Sequence, residues 1–311
     1  MGHVLFCSDQ LDGVAAAAIM GRMLRLRGRE WRLGGTLSHA SESGVALLAQ
    51  TKNAILHLLD VSPDYLVPFE QTVSSLAANN KIAYWCSDLP CAEETAGIIK
   101  GVSAAADIIT HRSPLCSAEL AQQRFLPNDS TALQLAALAH DIKLWRRHDE
   151  TALRLADVIA SGYDRRSIVD ALSKGVLWSA TLQAARDAYL EKKEKALAEL
   201  NKHIIIKDYV GAKCGFTLAA NLLPSADACQ HLLDTHAGVD VAVVVYRDRR
   251  IVFRRREGID VDLARVAKVF DGGGREYASG GRLRTGESVT AESFERVVFG
   301  IDRTLKDFFI R

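Results

Sequence analysis

No run in the 311-residue sequence reaches the ~20 consecutive apolar residues that a membrane span needs. The opening MGHVLF has neither a basic start nor a long apolar stretch, so no secretory leader is expected. Paired CxxC spacing is absent. The six cysteines, Cys7, Cys86, Cys91, Cys116, Cys214 and Cys229, are scattered, and the reading is a reduced, cytoplasmic protein whose thiols mostly fill core positions. The formal charge is only +1, which gives no global case for nucleic acid or membrane; such a site has to come from local clustering. There is no internal repeat and no low-complexity segment, which excludes a solenoid.

What is present is an ordinary globular composition, 48% apolar, in a chain long enough for two domains of roughly 150 residues each. The first third alternates short apolar runs with helical periods. HVLFC, WRLGGTL, AILHLLD and KIAYWCS read as strands, and the stretches from Leu11 to Arg27 and from Leu66 to Asn79 as helices. Continuous apolar strands separated by helices imply a parallel sheet covered on both faces. Chemistry in such sheets sits at the carboxyl ends of the strands, where Asp9, Asp60 and Asp88 all fall. From Ser117 to Gly175 the pattern is helical. A long polar stretch, SATLQAARDAYLEKKEKALAELNKH, then reads as a connector helix. Strands return after His203, and helices at 226–236, 262–270 and 291–309 complete a smaller mixed α/β domain. The expected division is 1–180, a connector at 181–202, and 203–311.

The run AKVFDGGGREYASGGRL is the most informative in the chain. Gly272, Gly273 and Gly274 remove side chains where a backbone must come close to something. Three such amides in a row are expected to form an anion-binding concavity suited to a phosphate. Arg275, Arg282 and Arg284 add charge, and Tyr277 offers a stacking face or a hydroxyl. Upstream, YRDRRIVFRRRE sets Arg247, Arg249, Arg250, Arg254, Arg255 and Arg256 on an expected hairpin, some of them on one exposed face.

The segment GIDVDLARVAKVFDGGGREYASGG resembles the C-terminal domain that accompanies the DHH phosphoesterases, a family that includes RecJ-type exonucleases, nano-RNases and pAp phosphatases. Its pattern reads "dv..iA..fGGGGH..AaG", and Arg275 stands where the family has histidine. The N-terminal half aligns with the family's four metal motifs. Anchoring the HxDxDG motif on Asp12 and Gly13 puts Ser8 at its histidine, Gln10 at its first aspartate and Asp12 at its second. Asp60, in LLDVSP, stands at the lone aspartate after a strand. In YWCSDLPCAEE, Ser87, Asp88 and Leu89 occupy the D, H and H positions. Asp141, in LAHDIKLW, offers the fourth motif's aspartate. SPLCSAELAQQRF resembles the helix start between the third and fourth motifs.

The resemblance implies two Mn²⁺ or Mg²⁺ ions that bridge a nucleophilic water and clamp a phosphate. Such ions need several anionic oxygens and imidazoles to converge. Asp12, Asp60 and Asp141 remain, with Asp88 as a weaker fourth, so a residual one-ion site is the most the set implies. Asp9 is one residue out of register and is expected to point to the other face. His39, His57, His111 and His140 read as cap, surface or packed residues.

The resulting expectation is a RecJ-like α/β protein with a degenerate active site and weak or no hydrolysis. It would bind single-stranded nucleic acid or a nucleotide phosphate in an interdomain cleft, along Arg254, Arg255, Arg256, Gly272 to Gly274, Arg275 and Arg282. The family includes members without catalysis that act as replication-complex components, in archaea with GINS partners, so DNA replication or repair is the implied setting. The alternatives are an active Mn-dependent phosphoesterase with a rearranged metal site, acting on short oligonucleotides or nucleotide phosphates, and a protein-interaction scaffold.

Overall fold

Short apolar runs of the first half line up as one parallel sheet. The computed structural model describes residues 1–38, 42–62, 66, 69–87, 106–110, 115–284 and 286–309. Within the first of two compact units, Met1–Arg186, the strands are β1 (Gly2–Ser8), β2 (Trp31–Leu37), β3 (Ala54–Leu59), β4 (Lys81–Cys86) and β5 (Ala106–Thr110). Their order is β2-β1-β3-β4-β5, with every pair parallel. β5 was not expected from sequence: its five residues, ADIIT, lack both a long apolar run and a clear alternation.

Alternation along β1 explains why its sequence is apolar throughout. Leu5 and Cys7 face one core and Val4 and Phe6 the other. Helices α1 (Leu11–Leu26), α4 (Ser117–Phe125), α5 (Ser130–Lys143), α6 (Glu150–Ala160) and α7 (Arg165–Ser173) supply the first core. Helices α2 (Glu42–Gln50) and α3 (Phe69–Ala77) supply the second through Leu48, Val73 and Leu76. α1 is buried nearly all round, from Leu11 to Leu24, as its run of Ala, Met and Leu requires. The helical stretch after Ser117 is cut into separate helices by aspartate caps. Asp129 accepts from the Ala132 amide, Asp149 from Thr151 and Ala152, and Asp164 from Ser167.

Helix α8 (Ala180–Leu200) runs across the boundary into the second unit, Asp187–Arg311. That unit holds a six-stranded mixed sheet of order β10-β11-β9-β8-β7-β6. Its strands are β6 (Ile205–Tyr209), β7 (Ala212–Ala219), β8 (Val241–Tyr246), β9 (Arg250–Arg255), β10 (Gly273–Arg275) and β11 (Ala278–Arg282). Only β7 and β8 pair in parallel, joined through helix α9 (Ser225–Thr235); the other pairs are antiparallel. Helices α10 (Leu263–Lys268) and α11 (Ala291–Phe309) cover the face formed by Val241, Val243, Val245 and Phe253, and α9 covers that of Ala242, Val244 and Tyr246. Among the described residues no helix is long and apolar enough to cross a membrane. The five described cysteines are free and buried.

Candidate functional site at the carboxyl end of the parallel sheet

The ends of β1 and β3 lie side by side, and the polar residues that follow them meet the start of α4. Ser8 closes β1 and is buried, while Gln10 is the exposed N-cap of α1. Gly13 lets the helix touch the strand it follows. A Cβ there would lie 2.3 Å from Ser8 Oγ and 2.6 Å from the Ser8 amide nitrogen. That close approach fixes Asp12 in the first turn, 2% exposed. Asp60 follows β3 in the left-handed region, at φ 56°. Its amide donates to Trp85 O at 2.7 Å, which holds the carboxylate over the sheet edge. Aspartate tolerates this conformation better than most residues, and such outliers gather at functional sites.

The two carboxylates are closely bound by protein groups. Asp12 accepts from the Ser117 amide at 3.0 Å and the Ala118 amide at 2.8 Å, an anion on the N-terminus of α4. Asp60 accepts from Ser8 Oγ at 2.6 Å and from Ser117 Oγ at 2.9 Å. The Lys143 ammonium, from the last turn of α5, is 3.2 Å from Asp60 Oδ1 and 3.5 Å from Asp12 Oδ2. Ser87 joins the same network: its amide donates to Ser117 Oγ at 3.1 Å and the two hydroxyls are 3.2 Å apart. The N-terminus of α4 is itself fixed by Glu119, which accepts from the Cys116 amide at 2.8 Å and pairs with His140 Nδ1 at 2.8 Å.

Of the residues singled out from sequence, Ser8, Asp12, Asp60 and Ser87 therefore come together. Asp141 turns elsewhere: its oxygens accept from the His148 amide at 3.0 Å and the Asp149 amide at 3.2 Å, closing the α5–α6 turn. Asp88, Leu89, Cys91, His39 and His111 lie outside the described residues. Asp9 lines a separate cavity of about 410 Å³ with Gly34, Gly35, Thr36, Tyr163 and Arg165. Burial raises its carboxyl above the usual aspartate range, and Arg165 opposes that rise. His57 packs in the sheet with its Nε2 3.0 Å from His3 Nδ1.

Sequence reasoning missed Lys143. A lysine in the last turn of a helix ordinarily reads as a surface charge complementing the helix dipole, yet this side chain is only 11% exposed. The available signal was a deficit: two strand-end acids stripped of histidine and aspartate neighbours still require a countercharge.

The fit to a pair of divalent ions is poor. Among the described residues, Asp12 and Asp60 are surrounded by two serine hydroxyls, backbone amides and an ammonium rather than the further carboxylates and imidazoles such ions require. Among the described residues no three His, Cys, Asp or Glu side chains converge on a metal position.

The glycine run of the second unit adopts a geometry other than a three-amide concavity. Gly273 to Arg275 form the edge strand β10, paired with Ala278 to Gly280 of β11. The Gly272 amide donates to Ala267 O at 3.0 Å. Among the three consecutive glycines only Gly274, at φ 134°, has a positive φ, and Asp271 just before them has φ 51°. The physical reason for glycine here is backbone crowding. A Cβ on Gly272 would fall 2.0 Å from Gly280 O, and one on Gly281 2.5 Å from Phe270 O. Gly273 has open space around it. At the hairpin tip Arg275 Nη1 donates to Tyr277 Oη at 2.7 Å, and Tyr277 is 42% exposed. Arg282, at the far end of β11, is also exposed.

Strand alternation divides the upstream arginines. Arg254 follows Val252 on the face that carries α9, whereas Arg255 shares the face of Ile251 and Phe253 and bonds to Glu276. Arg256 is spent on structure. Its guanidinium donates to Val239 O at 2.8 Å, to His236 O at 3.5 Å and to Leu233 O, gathering the carbonyls at the end of α9. Arg284 forms a fork with Asp271, at 2.7 and 2.5 Å.

No family model and no curated protein sequence matches the chain. Solved structures do match it along nearly its full length. The DHH domain of a member of a family of ribosomal proteins aligns with TM-score 0.67 at 13% identity, covering 99% of this chain and 87% of that one. RecJ in complex with Mn²⁺ from Thermus thermophilus aligns with TM-score 0.64 at 13% identity, over 98% of this chain and 52% of the other. An exonuclease RecJ bound to manganese gives TM-score 0.61 at 12% identity, over 99% and 90%. The parallel sheet followed by a second mixed sheet is therefore a DHH-domain fold. RecJ structures share this fold over nearly the whole chain, so both units are represented in the match.

Proposed function

We propose that this chain binds single-stranded nucleic acid or a nucleotide phosphate without two-metal phosphodiester hydrolysis. The observation that carries the binding half is the exposed β10–β11 hairpin, where Gly273 is open, Arg275 and Tyr277 sit together, and Arg282 is exposed. An open backbone admits a phosphate, guanidiniums offset its charge, and an exposed ring gives a base a stacking face. Support for the loss of cutting comes from the Asp12–Asp60 centre, whose oxygens are engaged by amides, hydroxyls and an ammonium. On this reading the chain is a binding component rather than a nuclease, in the manner of the replication-complex members of the resembled family.

Fluorescence anisotropy with a labelled single-stranded oligonucleotide at low salt tests it. Gly273→Asp and Arg282→Glu are each expected to weaken binding about tenfold or more, with no cleavage in Mn²⁺. Mn²⁺-dependent cleavage lost in Asp12→Ala would replace the proposal with the active phosphoesterase. Absence of binding at low salt would leave the interaction scaffold.

A further inference from the structure

We propose that the Lys143 ammonium is the resident cation of the Asp12–Asp60 centre, doing in this protein the structural work that a divalent ion would do between those two acids. The side chains of Asp12 and Asp60 are 1% and 4% exposed, and they come from different elements, the first turn of α1 and the residue after β3. Two carboxylates in such a position repel each other and are costly to bury without a positive charge. The ammonium reaches both, at 3.5 and 3.2 Å, and its compact charge with three donors suits a bridging role that a planar guanidinium would not.

The remaining donors fit this assignment. Those on Asp12 and Asp60 from Ser8, Ser117 and Ala118 are neutral hydroxyls and amides. They satisfy geometry but supply no full charge. The N-terminus of α4 partly compensates Asp12, and Lys143 brings a full positive charge to both acids. α1 and the end of β3, which hydrogen bonds already join to β1 and α4, are thereby tied to α5 through one side chain.

Thermal melts of the full chain, with EDTA or with MnCl₂, test the assignment. Lys143→Ala is expected to melt on the order of 10 °C below wild type in EDTA. Mn²⁺ should then raise its melting temperature by several degrees, because the vacated space lies between two acids. Wild type should melt at the same temperature with and without Mn²⁺. If Lys143→Ala does not fold, the double variant Lys143→Met/Asp60→Asn carries the test: it is expected to recover folding, since both charges are then removed together. The proposal is overturned if Lys143→Ala melts like wild type in EDTA. It is equally overturned if the double variant stays unfolded, or if wild-type protein binds Mn²⁺ by calorimetry in a way that Asp60→Asn abolishes. Oligonucleotide binding plays no part in these readings, so absence of oligonucleotide binding leaves this assignment standing, whereas Mn²⁺-dependent cleavage lost in Asp12→Ala would overturn both.

Discussion

Gly13→Ala is expected to destabilise the Met1–Arg186 unit by about 2–4 kcal/mol, despite placing the best helix former inside a helix. Propensity alone favours alanine over glycine by about 1 kcal/mol. Against that, the new Cβ would meet Ser8 Oγ at 2.3 Å, the Ser8 amide nitrogen at 2.6 Å and Ser8 O at 2.9 Å. Two of those atoms are backbone of a central strand, hydrogen-bonded to β2 and β3, and have little room to yield. Overpacking of this kind costs about 1–3 kcal/mol when side chains can adjust and more when backbone must move. Chemical denaturation with circular dichroism measures the difference. A variant more stable than wild type would mean that α1 does not approach β1 so closely, and the geometry assigned to Asp12 would fall with it.

Stability should also fall steeply on the acid side, and His57 is the main named cause. Burial, and then the neighbouring His3, hold its pKa down to about 4 against an ordinary 6.5. The folded state therefore resists a proton that the unfolded state accepts. The contribution is fully present above pH 6.5 and is lost as the pH falls through the window from 6.5 towards 4. At about 1.4 kcal/mol per pH unit, that gap comes to about 3 kcal/mol. His57→Leu is expected to flatten the slope of unfolding free energy against pH across this window. It also removes a buried ring nitrogen, Nδ1, that has no hydrogen-bond partner among the described residues. An unchanged slope in the variant would show that His57 takes up its proton in the folded state near its ordinary pKa.

Much of the fold was legible because its strongest signals are local. HVLFC and VAVVVY are buried on both faces and read as strands without any knowledge of their partners. The helix at 291–309 carries its apolar residues on one face, and its bounds follow from period alone. β5 is short and its sequence is ambiguous, and the β10–β11 hairpin is built from glycines whose role depends on what crosses them. Those glycines suggested a phosphate loop, whereas contacts with Gly280 O and Phe270 O explain two of them, Gly272 and Gly281, and Gly273 stays open. The site was legible in the same proportion. Asp60 follows from its position after a strand and Asp12 from the resembled motif, but the cation that balances them, Lys143, lies far along the chain, where only tertiary structure brings it in. Gly13 carries a related lesson: an Asp-Gly pair can persist for reasons of strand–helix contact whatever chemistry surrounds it.

Arg256, gathered onto the carbonyls at the end of α9, has a consequence for how the second unit would respond to ionic strength. A count of the arginines between Arg247 and Arg284 suggests that many counterions would leave a bound strand. Yet Arg250 is paired with Asp248, Arg255 with Glu276, Arg284 with Asp271, and Arg256 with backbone. On the proposed reading, Arg275 and Arg282 of the hairpin neutralise about two phosphates, and Arg247, Arg249, Arg254 and Arg265 bring the ceiling without those four pairs to about six, each phosphate contributing about −0.7 to the slope of log K against log salt for a single strand. The expected slope thus lies between about −1.4 and about −4, and a steeper one would show that the internal pairs open to meet the strand.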